Sequence, residues 1–354
     1  MGFFSCTRIT FETMKKRILV TGGSGAIGKE AIKLLADQTE NYEVFCLVHN
    51  QARAEKRIGK YKTKIKFVQG DITRLSSIEP HTHNLEYVIH LAAIIPPLAD
   101  QKPELAQAVN FNGTKNLIEL IEKNSPNAFF LYSSSISVYG DRLNTPDIKV
   151  GDKLIASMGD AYGQTKIDTE KIIQESSLKW SIFRLTGIMD PKLNSPNALM
   201  FHMPLKTNFE ICTTRDCGRA FVNALIHENE LKNTIFNLAG GESCRAPFHE
   251  ILSTAFGISG MGKLNFPEGA FATANFHCGY YADGDDLENI VHFRKDTKED
   301  YFRMMGEAIP EWQKLSAKLF APIVKWAMLQ TSDPWKAKKS NDKYGMKRYF
   351  NIDV

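Results

Sequence analysis

A chain of 354 residues is long enough for one large α/β unit with an appended lobe, or for two domains. With 43% hydrophobic and 24% charged residues it reads as an ordinary globular protein, and a net charge of +4 neither requires nor excludes a polyanionic partner. No run of roughly 18 or more apolar residues occurs, which excludes a membrane-spanning helix.

The opening residues lack the basic-then-apolar build of a secretory signal, and Cys6 stands where a myristoylation motif wants Ser or Thr. Residues 1–14 are therefore expected to be a poorly ordered extension. Arg17-Ile-Leu-Val-Thr21 is an apolar run ending at glycines, as a buried parallel strand does. A helical pattern follows from Ile27 to Leu35, then a second strand over Val44–Val48. Further strands are expected at Ile65–Val68, Tyr87–Leu91, Ala128–Ser133, Trp180–Arg184 and Thr234–Leu238. Helical stretches lie near 104–123, 161–177 and 217–228. Such alternation implies a doubly wound parallel sheet with crossover helices.

Residues 189–210 hold three prolines and little periodicity, which suggests a loop or small excursion. An amphipathic helix is expected at 311–330. Its Trp312, Phe320, Trp326 and Met328, with Trp335 beyond it, either wall a pocket or fill the core of a small helical lobe. The stretch 336–348 carries six Lys/Arg against one Asp and reads as a solvated tail, the alternative being a run that touches a membrane or nucleic acid. Six cysteines without a Cys-x-x-Cys pair, and histidines without ligand spacing, point to reduced thiols in a cytoplasmic protein and to no metal.

Chemistry enters with Gly22-x-x-Gly25-x-x-Gly28. Placed between a strand and a helix, these glycines allow a tight turn and close approach to a pyrophosphate, and the helix start of Ala26 and Ile27 offers free N–H groups to phosphate. The second strand ends His49-Asn50-Gln51-Ala52-Arg53, with no carboxylate to meet the adenosine ribose hydroxyls. That favours NADP over NAD, with Arg53 either the 2′-phosphate ligand or a solvated loop arginine. Tyr162 and Lys166 stand four apart and share one helix face. A neighbouring ammonium is expected to lower the phenol pKa and make Tyr162 an acid/base. Upstream, Leu131–Ser135 is an apolar strand running into hydroxyls, at the strand end where open parallel sheets bind ligands.

Together these residues resemble the extended short-chain dehydrogenases/reductases, the NAD-dependent epimerase/dehydratase family. Gly70-Asp71-Ile72, His90-Leu91-Ala92-Ala93, Val109-Asn110-Phe111-Asn112-Gly113-Thr114, Phe183-Arg184-Leu185 and Arg215-Asp216 extend the likeness over roughly residues 15 to 305. The resemblance implies that Asp71 and Ile72 border the adenine and that Leu91, Ala92 and Ala93 line the cofactor cleft. It implies that Leu185 and Ile188 pass the nicotinamide and that Asn110 supports the active-site architecture. Ser135 would bond the substrate oxygen, and Lys166 would hold the nicotinamide ribose as well as tune Tyr162. It also implies a homodimer formed through helices flanking the sheet.

Two departures narrow the reaction. Dehydratase members place an acidic pair where Ile136-Ser137 stand, and many nucleotide-sugar members carry an arginine where Asn208–Ile211 has none. The reading is an α/β protein: a Rossmann-type domain from residues 15–187 and 211–240, with a smaller C-terminal substrate-binding lobe from 188–210 and 241–354. The expected activity is NAD(P)-dependent hydride transfer on a small-molecule alcohol/carbonyl substrate, without a nucleic-acid partner. The alternatives are a nucleotide-sugar epimerase using tightly held NAD, and a non-catalytic NADP-binding sensor.

Overall fold

The computed structural model describes residues 15–192 and 198–353. The expected N-terminal extension thus lies outside the described residues. In chain order the strands are β1 (Lys16–Thr21), β2 (Tyr42–Val48), β3 (Lys66–Gln69), β4 (Tyr87–His90), β5 (Phe129–Ser135), β6 (Asp147–Ile148), β7 (Lys179–Leu185), β8 (Gly187–Met189), β9 (Asn208–Thr213), β10 (Thr234–Leu238), β11 (Arg245–Pro247) and β12 (Tyr280–Tyr281). Seven of them form one sheet in the order β10-β7-β5-β4-β1-β2-β3, with every neighbouring pair parallel.

The chain runs outward from β1 to β3, then crosses back to place β4 on the other side of β1. The order therefore reverses between β1 and β4, and a crevice opens above their carboxyl ends. Side chains alternate across each strand. Ile18 and Val20 pack on one face with Ile32 and Leu35 of helix Ala26–Ala36 and Phe221 of helix Thr214–Asn223. Leu19 packs on the other face with Leu117 and Ile121 of helix Gly113–Asn124 and Ile173 of helix Ala161–Gln174. Burial on both faces is why β1, β4 and β5 each hold an unbroken apolar run.

The stretch expected to be a loop holds more structure than its composition suggests. β8 and β9 pair in parallel, β11 joins β9 antiparallel, and a short helix spans Ala198–His202. These strands are too short to show a period, so only pairing reveals them. A separate aromatic core built on Phe201, Phe209, Phe248, Phe256, Phe271, Tyr301 and Met328 lies under helices Phe248–Ile258, Lys298–Ala308 and Glu311–Thr331.

The stretch read as a solvated tail is not one. It folds into helices Asp333–Ser340 and Lys343–Phe350, capped by Ser332 and Asp342, and Ala337 and Tyr349 are buried. The basic residues of that stretch hid the burial of its few apolar ones. Trp312 and Trp326 fit neither expectation, being exposed, whereas Met328 is buried.

Candidate active site

β1 ends at Thr21, and the chain turns at once. Gly22 takes φ +69°, and a Cβ there would lie 2.7 Å from the Ala92 nitrogen. Gly25 N–H donates to the Gly22 carbonyl (2.8 Å), and a Cβ at Gly28 would collide with that same oxygen. Gly25 then caps helix Ala26–Ala36 without a side-chain acceptor, and the first turn holds no carboxylate. A compact cradle with free N–H groups and a positive dipole end fits the pyrophosphate of a dinucleotide.

The residues expected at the adenosine end sit at the carboxyl ends of β2 and β3. Asn50 caps helix Gln51–Ile58 by accepting from Arg53 N–H (2.9 Å), and the Arg53 side chain is exposed. Asp71 accepts from Thr73 N–H and Oγ1 (2.9 and 2.7 Å) and lies 3.8 Å from His49. Burial pushes its carboxyl up, but the Thr73 hydrogen bonds and the nearby His49 outweigh that and hold it below the ordinary value. Ile72 is buried, close against Gly113.

Between these regions runs a directed chain of hydrogen bonds. Ala92 N–H can only donate, and it does so to Thr21 Oγ1 (3.2 Å). Thr21 Oγ1 pairs with His90 Nδ1 (2.6 Å), His90 Nε2 with Thr114 Oγ1 (2.9 Å), and Thr114 donates to the Asn110 carbonyl (2.6 Å), which can only accept. The two ends fix the direction, so His90 is neutral with its proton on Nε2. Its pKa falls to about 3 because burial opposes the charge, as does the nearby Lys166.

Asn110 lies in a π-helical stretch, Gln107–Asn112, that interrupts the helical run expected at 104–123. Its side-chain amide accepts from Ile94 N–H (2.8 Å) and donates to the Ile94 carbonyl (2.9 Å). It also reaches Thr165 Oγ1 (3.3 Å), on the helix that carries Tyr162.

That helix, Ala161–Gln174, starts where Asp160 accepts from Gly163 N–H (2.8 Å). Lys166 is buried and donates to Tyr132 Oη (3.0 Å) and the Ser133 carbonyl (2.7 Å). Burial lowers its pKa to about 7, with the Glu170 carboxylate acting the other way. Tyr162 moves opposite to the expectation from sequence. Burial raises its pKa, and the hydrogen bond with Ser135 offsets that only in part. Burial dominates because two of the three Lys166 ammonium donors point to Tyr132 and Ser133. Ser135 accepts from Ser137 N–H and Oγ (3.2 and 3.0 Å), and its partner in register on β7 is Leu185.

A cavity of about 360 Å³ brings Ser135, Tyr162 and Lys166 together with Ile27, Leu91, Ala93, Leu185 and Ile188. Gly22, Gly25, Ala26, Gly28, Ala92 and Asn110 do not line it, nor do Arg53, Asp71 and Ile72, which follow β2 and β3. Sequence reading missed Asp100, Asp160, His202, His277, Arg348 and Tyr349, which also line the cavity. Asp160 Oδ1 caps the helix, while its buried Oδ2 has no hydrogen-bond partner and lies 3.5 Å from His277. Burial and the Asp160 charge raise the Asp100 pKa. Asp160 was findable as an N-cap two residues before the tyrosine; Arg348 had no sequence signal.

The NAD dependent epimerase/dehydratase family pattern matches residues 18–203, and the chain belongs to this family. It is 28% identical over 168 residues to D-erythronate dehydrogenase of Haemophilus influenzae, covering 46% of this chain and 50% of that one. It is 30% identical over 209 residues to UDP-glucose 4-epimerase of Dictyostelium discoideum, covering 53% and 59%. The chain thus spans about half the length of the curated relatives it matches. Among solved structures, UDP-glucuronic acid 4-epimerase of Bacillus cereus in complex with UDP-glucuronic acid and NAD superposes with TM-score 0.69 at 20% identity, over 82% of this chain and 98% of that one. A short-chain dehydrogenase/reductase superfamily protein of Agrobacterium tumefaciens with bound NAD gives 0.64 at 19%, over 86% and 99%. These likenesses establish the doubly wound fold of the extended short-chain dehydrogenases.

Proposed function

We propose that this protein is an NAD(P)-dependent oxidoreductase acting on an alcohol/carbonyl pair. The observation that carries the reading is the convergence of Ser135, Tyr162 and Lys166 on one cavity, which Ile27 and Leu91 beside the glycine turn also line. The nicotinamide, when bound, supplies or accepts the hydride. Ser135 and Tyr162 hydrogen-bond the substrate oxygen, and Tyr162 gives up its phenolic proton as that oxygen gains charge. Lys166 stabilises the resulting phenolate and holds the nicotinamide ribose. In the oxidative direction Tyr162 accepts the proton. Asn110 acts at one remove, tying the Ile94 backbone to the helix of Tyr162.

The glycine cradle takes the pyrophosphate, and Asp71 and Ile72 border the adenine. An exposed Arg53 in the first turn after β2, with no carboxylate at the strand end, supports NADP as the cofactor. The NAD-bound structural neighbours keep NAD as the alternative. Apolar wall residues Ile95, Pro96, Met158 and Phe276 support a smaller or more apolar carbonyl compound than a sugar nucleotide. The lobe from 188–210 and 241–354 closes over that substrate. A homodimer through the helices flanking the sheet completes the reading.

The similarity to UDP-glucose 4-epimerase favours one rival, epimerisation with tightly held NAD. The two separate on whether the purified protein oxidises added NADPH with ketones and aldehydes, or carries NAD and interconverts sugar nucleotides. Tyr162→Phe decides between an enzyme and a cofactor sensor. Turnover should fall by at least about 100-fold, with cofactor affinity by fluorescence titration unchanged. Full activity in that variant would refute the assignment.

A further inference from the structure

Helix Glu311–Thr331 packs on the aromatic core of the smaller lobe through Ala317, Ala321, Val324, Met328 and Leu329. Its other face carries Trp312, Leu315, Leu319, Phe320, Ile323 and Trp326, each between 50% and 73% exposed. At about 3.6 residues per turn these six fall in one arc roughly 140° wide. Only Ser316, Ala327 and Gln330 share that arc, so it holds no charge. From Trp312 to Trp326 the stripe runs roughly 21 Å at about 1.5 Å per residue. A continuous apolar patch of this size on a folded surface marks a docking site.

The flank of the stripe indicates what it docks on. Lys318 lies nearest the stripe, roughly 60° beyond Leu315, while Lys314 and Lys325 sit farther round, roughly 80–100° beyond it. Lys314 pairs with Glu311 (2.6 Å), whereas Lys325 donates to the neutral Lys263 carbonyl and Asn265 Oδ1 and keeps its charge unbalanced. Lys318 is exposed and has no ion pair among the described residues. Between residues 311 and 350 nine basic residues face three acidic ones. A tryptophan stands at either end of the stripe, and indole rings prefer the boundary between apolar and wet phases. Protein–protein interfaces are depleted in lysine, whereas helices lying in a bilayer surface use an apolar face with a lysine border.

We propose that helix Glu311–Thr331 docks the protein in plane on an anionic lipid bilayer. The helix lies on the surface and does not cross it, since no helix among the described residues is long and apolar enough to span a membrane. Its apolar stripe enters the acyl boundary, and Lys318 beside it meets the lipid phosphates and carboxylates.

The test is co-sedimentation of the full chain with phosphatidylcholine vesicles, with and without phosphatidylserine. The chain should pellet with the phosphatidylserine vesicles and release as salt is raised. Leu319→Glu with Ile323→Glu should lower the partition at least about tenfold, with far-UV circular dichroism and oligomeric state unchanged. Should that variant fail to fold, Trp312→Phe with Trp326→Phe serves instead, and it should abolish the vesicle-induced shift in tryptophan emission. Failure of the wild-type chain to bind either vesicle would overturn the proposal. So would a wild-type dimer that the Leu319→Glu/Ile323→Glu variant dissociates, which would assign the stripe to a second copy of the chain.

Discussion

Lys166 is held where its charge is least welcome, buried against the Tyr132 ring and the Ser133 carbonyl. Its folded pKa of about 7 lies below the ordinary 10.5, so between those values the unfolded chain keeps a proton that the folded protein has lost. Stability therefore rises with pH across that window, and the burden of the buried charge is fully present below about pH 7. Lys166→Met should raise the Tm relative to wild type more below pH 7 than above about pH 9, as calorimetry across pH would record. The same titration bears on activity. The kcat/KM for the cofactor reports the free protein, and it should fall as pH rises through about 7, where the ammonium is lost. Arg53 makes a separate prediction about charge. Arg53→Glu should weaken NADPH binding by at least about tenfold while leaving NADH binding nearly unchanged, because only NADPH carries the 2′-phosphate.

Among the elements, the turn after β1 tolerates the least change. The three glycines answer to different constraints: positive φ and the closeness of Ala92 at Gly22, the helix start at Gly25, and the Gly22 carbonyl at Gly28. Gly28→Ala must push the helix away from the turn, at about 1–3 kcal/mol of stability by urea titration. It should also abolish tight cofactor binding, because the helix start moves with it. The π-helical stretch at Gln107–Asn112 is a second such element. Its pattern signalled a helix, but nothing in that pattern distinguished the wider turn that brings Asn110 to Ile94. The exposed stripe of helix Glu311–Thr331 shows the same limit, since the helix was expected but not which apolar face would be covered.

Across the whole molecule, one buried polar network joins sheet to lobe. Ser134 donates to Glu170, and Arg184 pairs with Glu170 (2.7 Å) and donates to Tyr139 Oη (2.7 Å) and the Val150 carbonyl (2.9 Å). Tyr139 continues to Asn237, and Asn237 to Asp283 (2.7 Å each). The chain of contacts thus connects β5, β7 and β10 to the segment entering the smaller lobe. Glu170→Gln leaves the Arg184 charge buried without its counter-ion and should cost about 3–5 kcal/mol, read as a lower urea midpoint. Replacing both residues by Met should cost less than Glu170→Gln alone, since no charge is then stranded.

Periodicity and turn chemistry are local, and what depended on them was legible in the amino-acid string. The parallel strands, the glycine turn and the Tyr162/Lys166 face all follow from residues within a few positions of one another. Other features depended on residues far apart in the chain meeting in space. Arg348 and Tyr349 arrive at a cavity whose other walls include residues 95–100 and 157–162. Short strands such as β8 and β11 are defined only by their partners. The direction of the Tyr162 pKa shift also turned on packing. Sequence spacing placed an ammonium near the phenol, but only the tertiary structure decided that burial would dominate and that the ammonium would face Tyr132.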